Sequence, residues 1–110
     1  MDLETIRQIC ISLPGVTEDI KWGNDLCFLV SDKMFCVATL EPEVKVSIKV
    51  RPEEFDALIS KDGIIPAPYA ARNKWILVEK LHVFNLKKWE EYIHQSYELI
   101  TSRRPKKNLL

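Results

Sequence analysis

The segment from Val44 to Val50 alternates strictly between branched apolar residues and lysine or serine. Successive side chains of a β-strand point to opposite faces, so this period of two predicts a strand with one buried face. Lys45, Ser47 and Lys49 share the other face, in water. The alternation is typical of an antiparallel sheet with one solvated side, and it requires other elements to cover the apolar side.

Three amphipathic segments can provide that cover. The first is predicted to be a helix from Asp2 to Leu13, with Asp2 as its cap and Pro14-Gly15 ending it. A short helix is predicted to begin at Pro52 and to stop by Gly63. Asn85 can cap a final helix whose buried stripe is Leu86, Trp89, Tyr92/Ile93, Ser96/Tyr97 and Ile100.

Further strands complete the sheet. Leu26–Val30 and Lys33–Leu40 are predicted to form a hairpin around Ser31-Asp32, and Trp75–Glu79 is predicted to be another strand. Val16–Asp25 is interpreted as an acidic, turn-rich connector. Residues 64–74 are interpreted as irregular chain or a short edge strand, because neither Pro66 nor Pro68 has an amide hydrogen to donate to a ladder.

The predicted fold class is therefore α+β, a two-layer sandwich of an antiparallel sheet with helices packed on one face. The 110 residues contain no internal repeat, linker or low-complexity segment. We expect one domain over residues 1–110, with a basic tail at about 103–110.

Composition excludes several classes of protein. Three cysteines are too few for a disulfide framework, no apolar run is long enough for a membrane span, and the acidic N-terminus lacks a signal core. We therefore expect a cytoplasmic location and no membrane association.

The charge is balanced in total but uneven along the chain. The 16 basic and 16 acidic residues give a net charge of zero, which excludes a strongly basic nucleic-acid binder. By thirds, however, residues 1–32 carry −4, residues 33–71 carry −1 and residues 72–110 carry +5. The bases of the strands and loops can still form one local patch.

Catalytic and metal-binding motifs are not found. The glycines at positions 15, 23 and 63 are isolated, so no phosphate-binding loop is present, and neither His82 nor His94 has a triad-like spacing to Ser or Cys. Cys27 and Cys36 can lie opposite each other across the hairpin, as a disulfide or half a metal site, although two buried thiols are the favoured interpretation. We expect no enzyme activity, no cofactor and no metal.

Basic and aromatic residues form the most informative pattern. Aromatic rings beside Lys and Arg suit nucleic acid, because bases stack on the rings while the cations meet phosphates. The alternative is that these lysines are ordinary solvated strand positions and that Trp75 belongs to the core. The predicted nucleic-acid-binding residues are Lys33, Lys45, Lys49, Arg51, Tyr69, Arg72, Asn73 and Lys74.

The hairpin register decides which face its aromatic residues occupy. If Val30 pairs with Lys33, Phe28 and Phe35 share the face of Lys33. The remaining hairpin side chains would then pack on the helices, namely Cys27, Leu29, Met34, Cys36 and Ala38.

Several motifs, in order and spacing, resemble those of the MmcQ/YjbR family of small bacterial proteins. The resemblance runs from about residue 3 to about residue 107. Its motifs are Leu13–Asp19, Trp22-Gly23, Lys33–Phe35, Ile48–Phe55, Pro66–Tyr69, Asn73–Ile76 and Ser96-Tyr97.

The resemblance implies a fold like that of CyaY and frataxin, and a DNA-binding role in which two hairpin-like elements, a double wing, clasp DNA. The family's third-strand lysine falls on Lys49, and its Tyr-to-Trp loop falls on Tyr69–Trp75. Ala70-Ala71 stand where many relatives have a glycine after the tyrosine, and Ser31-Asp32 replaces a turn that is often glycine-rich. The frataxin likeness raises iron binding, but the first helix carries only Asp2 and Glu4 as acids.

Three hypotheses follow. The first is a non-enzymatic DNA-binding protein with weak, salt-sensitive affinity, for which about four neutralised phosphates give a salt slope near −3.6. The second is a protein- or ligand-interaction domain whose aromatic sheet face, around Phe28 and Phe35, binds a partner or a second copy. The third is an enzyme with a pocket near His82, Tyr69 or Arg72.

Overall fold

A computed structural model describes residues 1–40 and 43–102. The predicted basic tail at 103–110 lies outside the described residues. In chain order the elements are α1 (Leu3–Ile11), β1 (Val16–Lys21), β2 (Asp25–Val30), β3 (Lys33–Thr39), β4 (Lys45–Lys49), α2 (Pro52–Ile59), β5 (Ile64–Pro66), β6 (Trp75–Val78) and α3 (Leu86–Thr101).

The six strands form one antiparallel sheet in the order β1-β2-β3-β4-β6-β5, and the helices cover one of its faces. The predicted α+β class, an antiparallel sheet with helices on one face, is confirmed. The alternating segment forms β4, whose Val46 and Ile48 are fully buried under the helices while Lys45, Ser47 and Lys49 lie on the open face. No helix within residues 1–40 and 43–102 is long and apolar enough to cross a membrane.

A row of cross-strand partners forms the centre of the core. Phe28 pairs with Cys36, Cys36 with Ile48, and Ile48 with Ile76, and all four side chains are fully buried. Because opposite residues of an antiparallel pair share a face, this row faces the helices as a whole. Trp89 and Ile93 of α3 and Ile6 of α1 pack on it.

The capping residues of the outer helices act as predicted. Asp2 accepts a hydrogen bond from the Thr5 amide at 3.0 Å, and Asn85 accepts one from the Lys88 amide at 2.8 Å. The stripe of α3 is buried or half-buried except for Leu86, whose side chain is exposed at the first turn.

The predicted acidic connector is wrong, because Val16–Lys21 is the edge strand β1, paired along its length with β2 from Val16↔Val30 to Lys21↔Asp25. An edge strand meets a neighbour on one side only, so most of its side chains stay in water. The four residues from Thr17 to Ile20 are exposed, and polar residues among them remove the alternation that marks a strand.

The Val30↔Lys33 pairing is confirmed, but the predicted placement of the hairpin side chains is wrong at several positions. Phe28 pairs with Cys36 while Leu29 pairs with Met34, which leaves Phe35 as an extra, bulged residue in β3. Val30 belongs to the core, so the face that Phe28 and Phe35 share with Lys33 is the helix side of the sheet, and both rings are fully buried. The bulge brings Cys36 onto this side as well.

The open face consequently carries Cys27, Leu29 and Met34, which were predicted to pack on the helices. Cys27 pairs with Val37, in the row that includes Ser47 and therefore lies on the open face. Its thiol is nonetheless fully buried by its neighbours.

Ser96 of α3 bonds to both β3 and β4 at the end of the sheet where these two strands separate. Pairing between β3 and β4 stops at Cys36↔Ile48. Beyond this pair, the hydroxyl of Ser96 forms hydrogen bonds with both strands in place of the strand-to-strand bonds. It accepts a hydrogen bond from the Lys49 amide at 2.9 Å and donates one to the Phe35 carbonyl at 2.6 Å. Ser96 thus joins the two halves of the sheet, which explains structurally why a serine stands at this point of a buried helix face.

Tyr97 anchors the same helix to the start of β1. Its hydroxyl donates to the Pro14 carbonyl at 2.6 Å, and its ring packs edge-on against Phe35 with 5.4 Å between centroids. The Ser96-Tyr97 motif is therefore a structural joint between helix and sheet.

An ion pair fixes α1 to the edge strand. Arg7 donates two hydrogen bonds to the carboxylate of Glu18, at 2.9 Å and 2.8 Å. These bonds lower the pKa of Glu18 from its usual 4.5. The contact also shows that Glu18, and with it Ile20 two residues later, faces the helix side of the sheet.

We expect the substitution Glu18→Gln to reduce stability at neutral pH and to have progressively less effect in acid. The folded-state pKa of Glu18 is below its unfolded value, so its contribution is present above about 4.5 and disappears as the pH falls through the folded pKa. Urea unfolding of both proteins from about pH 7 to about pH 2.5 tests this. A constant difference in stability over that range would contradict it.

Candidate nucleic-acid interface

The loop between β5 and β6, residues 67–74, is closed by backbone hydrogen bonds. The Ala67 amide donates to the Trp75 carbonyl at 3.0 Å, and the Ala70 carbonyl accepts from the amides of Asn73 and Trp75 at 3.1 and 3.2 Å. Residues 71–73 form one turn of 3-10 helix. All these hydrogen bonds join backbone groups, so they hold the shape of the loop.

Tyr69 extends from this loop into solvent. Its side chain is as exposed as in an isolated peptide, with a relative accessibility of 104%, and its φ is +68°. A left-handed backbone conformation is higher in free energy for a bulky residue than for glycine. The fold therefore holds an aromatic ring in water, in an unfavourable conformation, without packing it against the rest of the molecule.

Lys49 of β4 supports the loop from the side. Its ammonium donates to the Asn73 carbonyl at 2.8 Å, and the Lys74 carbonyl accepts from the Val50 amide at 2.9 Å. Partial burial lowers the pKa of Lys49 from its usual 10.5. Lys49 is thus a positioning residue for the loop.

Three other cations lie in this loop or beside its base, and they differ in how many contacts their side chains make. Arg51 lies 3.7 Å from the carboxylate of Glu54, and the Lys74 ammonium stands 4.9 Å above the ring of Phe55. Arg72 is exposed and has no ion-pair partner within the described part of the chain. Arg72 is therefore the cation most available to an external anion.

The structure brings together six of the eight predicted residues at one end of the sheet. We call this group the loop surface; it consists of Lys49, Arg51, Tyr69, Arg72, Asn73 and Lys74.

Lys45 and Lys33 lie apart from the loop surface. Lys45 pairs with Thr39 at the opposite end of β4, about 13 Å from Lys49 at the usual rise of a strand. Lys33 is at the same end as the loop surface but pairs with Val30, whose side chain belongs to the core, so it lies on the helix side of the sheet. It borders a small hollow with Ile100 and Thr101 of α3.

The alternative surface around Phe28 and Phe35 is absent, because both rings are fully buried. The large apolar side chains that are exposed within residues 1–40 and 43–102 lie elsewhere. They are Met1, Ile20, Trp22, Ile65, Tyr69 and Leu86. Sequence reasoning did not find Ile20 or Trp22, because the connector assigned to this region hid the strand that presents them.

The cysteines are free, buried thiols, so the favoured interpretation of Cys27 and Cys36 is confirmed, and the alternative in which the two lie opposite each other is wrong. Cys27 faces Val37, whereas Cys36 is buried on the other side of the sheet beside Cys10. A hydrogen bond with Cys10, together with burial, raises the pKa of the Cys36 thiol. The described residues contain no group of three or more His, Cys, Asp or Glu side chains arranged to hold a metal ion.

Two grooves are lined by residues other than Tyr69 and Arg72. One, of about 740 Å³, runs between α2 and α3 and is lined by polar and charged residues that include Arg51, Glu54 and Gln95. The other, of about 540 Å³, is bounded by residues that include Met1, Val44 and His82. His82 therefore does not share a groove with Tyr69 or Arg72.

Comparison with solved structures places the fold among known proteins. The chain is similar to protein DR2400 of Deinococcus radiodurans, which has a DUF419 domain, with 23% identity over 89% of this chain and 77% of that one and a TM-score of 0.80. It is also similar to a protein from Pseudomonas syringae, with 21% identity over 90% of this chain and 98% of that one and a TM-score of 0.76. These likenesses support the shared fold.

No curated protein matches the chain. The sequence model of the YjbR family matches residues 11–99, which contain all six strands and nearly all of α3. The match includes the loop surface, the Ser96 joint and the edge strand. The chain belongs to the YjbR family.

Proposed function

We propose that the protein is a non-enzymatic nucleic-acid-binding domain that contacts DNA through the loop surface. The exposure of Tyr69 carries the proposal. A ring held in water by a strained but well-bonded loop costs the free protein stability, and a base stacked on that ring would make use of its geometry.

The cations around the ring support a division of roles. Tyr69 would stack on an exposed base, while Arg72 would bind the neighbouring phosphate, since its guanidinium is free of ion pairs within the described residues. Lys74 and Arg51 would add phosphate contacts. Lys49 would keep the loop in place rather than bind, because its ammonium already donates to the Asn73 carbonyl.

The expected affinity is low and sensitive to salt. Lys33 and Lys45 are separated from the loop surface, and acidic Glu54 lies beside Arg51. Three contacting cations give a slope of log K against log salt of about −2.7 for duplex DNA. A slope near −3.6 would require a further phosphate contact from outside the loop surface.

We expect Arg72→Glu to weaken DNA binding and to reduce the magnitude of the salt slope by about 1, because one phosphate contact is lost. Tyr69→Ala should weaken binding to single-stranded DNA by about fivefold to about 150-fold, which corresponds to roughly 1–3 kcal/mol per stacked base. Fluorescence anisotropy with labelled single-stranded and duplex oligonucleotides at about 20–200 mM salt measures both effects.

Lys45→Glu is the matched control for Arg72→Glu. It makes the same change in net charge on the open face, at the far end of β4, so binding should decrease less than with Arg72→Glu. Equal losses for the two variants would point to general electrostatics instead of the loop surface. Absence of binding by the unmodified protein at about 50 mM salt and tens of micromolar protein would overturn the proposed function.

A further inference from the structure

The two edge strands of the sheet are protected to different degrees. β5 has three residues and ends in Pro66, which lacks an amide hydrogen, so it offers little to a further strand. β1 has six residues and no proline, and its outer edge pairs with no other strand in the described structure. Its outward N–H and C=O groups are therefore available for pairing.

Exposed apolar side chains lie at this free edge. The side chain of Ile20, near the end of β1, is 52% exposed, and that of Trp22, in the turn to β2, is 72% exposed. Trp22 also has a φ of +54°, in the region that favours glycine or asparagine. Two large apolar groups at an unpaired edge are a recognisable interaction surface.

We propose that β1 is a self-association edge that pairs antiparallel with β1 of a second copy of this chain. A two-fold axis relates the copies in such a pair and runs perpendicular to the joined sheet, so side chains on the helix side meet only helix-side side chains. The axis must then pass between one residue of β1 and the same residue of the second copy, which lie opposite each other. This condition leaves few registers to consider.

The charges of the strand select one of these registers. Pairing centred on Glu18, Asp19 or Lys21 places two identical charges opposite each other, which is destabilising. Centring on Val16 or Thr17 leaves Ile20 outside the strand-to-strand overlap. Centring on Ile20 places the two Ile20 side chains together on the helix side.

The same register pairs opposite charges on the open face. Asp19 and Lys21 share that face and lie 3.5 Å apart within one copy. With the axis at Ile20, Asp19 of each copy lies opposite Lys21 of the other, so that four alternating charges surround the join. Trp22, in the turn that follows β1, lies next to this overlap. The strand is therefore complementary to itself in charge and in apolar content.

The overlap covers only a few residues, so the dimer should be weak, with a dissociation constant on the order of 100 μM. Sedimentation equilibrium of the full chain from about 10 μM to about 1 mM measures it. Asp19→Lys should weaken self-association at least about tenfold, because the introduced lysine would face Lys21 of the second copy, and Lys21→Asp should do the same with two carboxylates. A chain that stays monomeric at about 1 mM overturns the proposal.

Mixing the two variants provides the specific test. Each variant carries like charges within itself, yet in a mixed pair both cross-strand contacts are between a lysine and an aspartate. We expect Asp19→Lys and Lys21→Asp to form a mixed dimer about as strong as that of the unmodified chain. If the substitutions acted only by destabilising the fold of each copy, mixing would not restore the dimer. Variants that fail to recover on mixing would overturn the register.

Asp62→Lys is the matched control, because it makes the same charge reversal and also removes an ion pair, the one with Lys80 at 3.2 Å. Asp62 precedes β5, which lies at the opposite edge of the sheet from β1. It should leave the dimer unchanged. Equal weakening by Asp62→Lys and Asp19→Lys would show a general charge effect and contradict the β1 edge. Both outcomes are independent of DNA binding, which is measured separately on the loop surface.

Discussion

Replacing Trp89 by alanine should lower the free energy of unfolding by about 3–5 kcal/mol, the usual cost of removing a large aromatic side chain from a core. Trp89 is fully buried, and its indole N–H donates to the Leu81 carbonyl at 2.9 Å. Its ring also packs edge-on against Phe84 with 5.2 Å between centroids. The substitution therefore leaves a cavity and removes the link between α3 and the turn that precedes it.

Chemical unfolding in urea, followed by circular dichroism, measures this loss. Trp89→Phe should cost less than Trp89→Ala, because a ring still fills most of the space while the hydrogen bond to Leu81 is lost. Leu86→Ala, on the same helix but with an exposed side chain, should change stability little. If Trp89→Ala and Leu86→Ala were equally stable, the assignment of α3 as the central covering helix would be contradicted.

The main layers of the fold could be predicted from periodicity. The alternation from Val44 to Val50 and the helical stripe through Trp89 and Ile93 each have one buried face and one wet face, and the sequence records that difference directly. Asp2 and Asn85 marked helix starts because their side chains satisfy free amides. Local chemistry was sufficient for these elements.

β1 could not be predicted in the same way. Its strand character depends on pairing with β2, a partner outside the segment, while its own residues from Thr17 to Ile20 remain in water. Glu18, which made the segment look like a solvated connector, is held by Arg7 from α1. An acidic residue satisfied by a distant helix leaves no local signal.

The faces of the β2–β3 hairpin depended on which side of the sheet the helices cover and on one inserted residue. The turn pairing of Val30 with Lys33 was correct, but Val30 faces the core, so Phe28 and Phe35 are buried with it, and the bulge at Phe35 brings Cys36 onto the same side. A one-residue slip reverses every side chain of a strand, and a bulge has no composition that marks it in this sequence.

The candidate site was predictable in type but only in part in position. Residue spacing placed Tyr69, Arg72 and Lys74 in one loop, and the structure keeps them together. Spacing could not show that Lys45 and Lys49 lie at opposite ends of one strand relative to that loop, since this depends on which strands are neighbours.

Ser96→Ala is expected to lower the free energy of unfolding by about 2–4 kcal/mol, a large effect for the loss of one oxygen atom. The hydroxyl is fully buried and is the hydrogen-bond partner of two backbone groups, the Lys49 amide and the Phe35 carbonyl. Without it both groups are unpaired where β3 and β4 separate, and each orphaned group costs about 1–3 kcal/mol. The cost falls on the strand end that supports the loop surface.

Ser12→Ala is the matched control, because its hydroxyl also donates to a backbone carbonyl, that of Ile9 at 2.7 Å, yet the residue is exposed and water can replace the bond. It should cost less than about 0.5 kcal/mol, as surface substitutions usually do. Urea unfolding compares the two variants, and amide hydrogen exchange locates the damage. In Ser96→Ala the Lys49 amide should lose protection more than the Val46 amide, which lies within the ladder. Equal stability of the Ser96 and Ser12 variants, or unchanged protection at Lys49, would show that the sheet closes at this end without the hydroxyl.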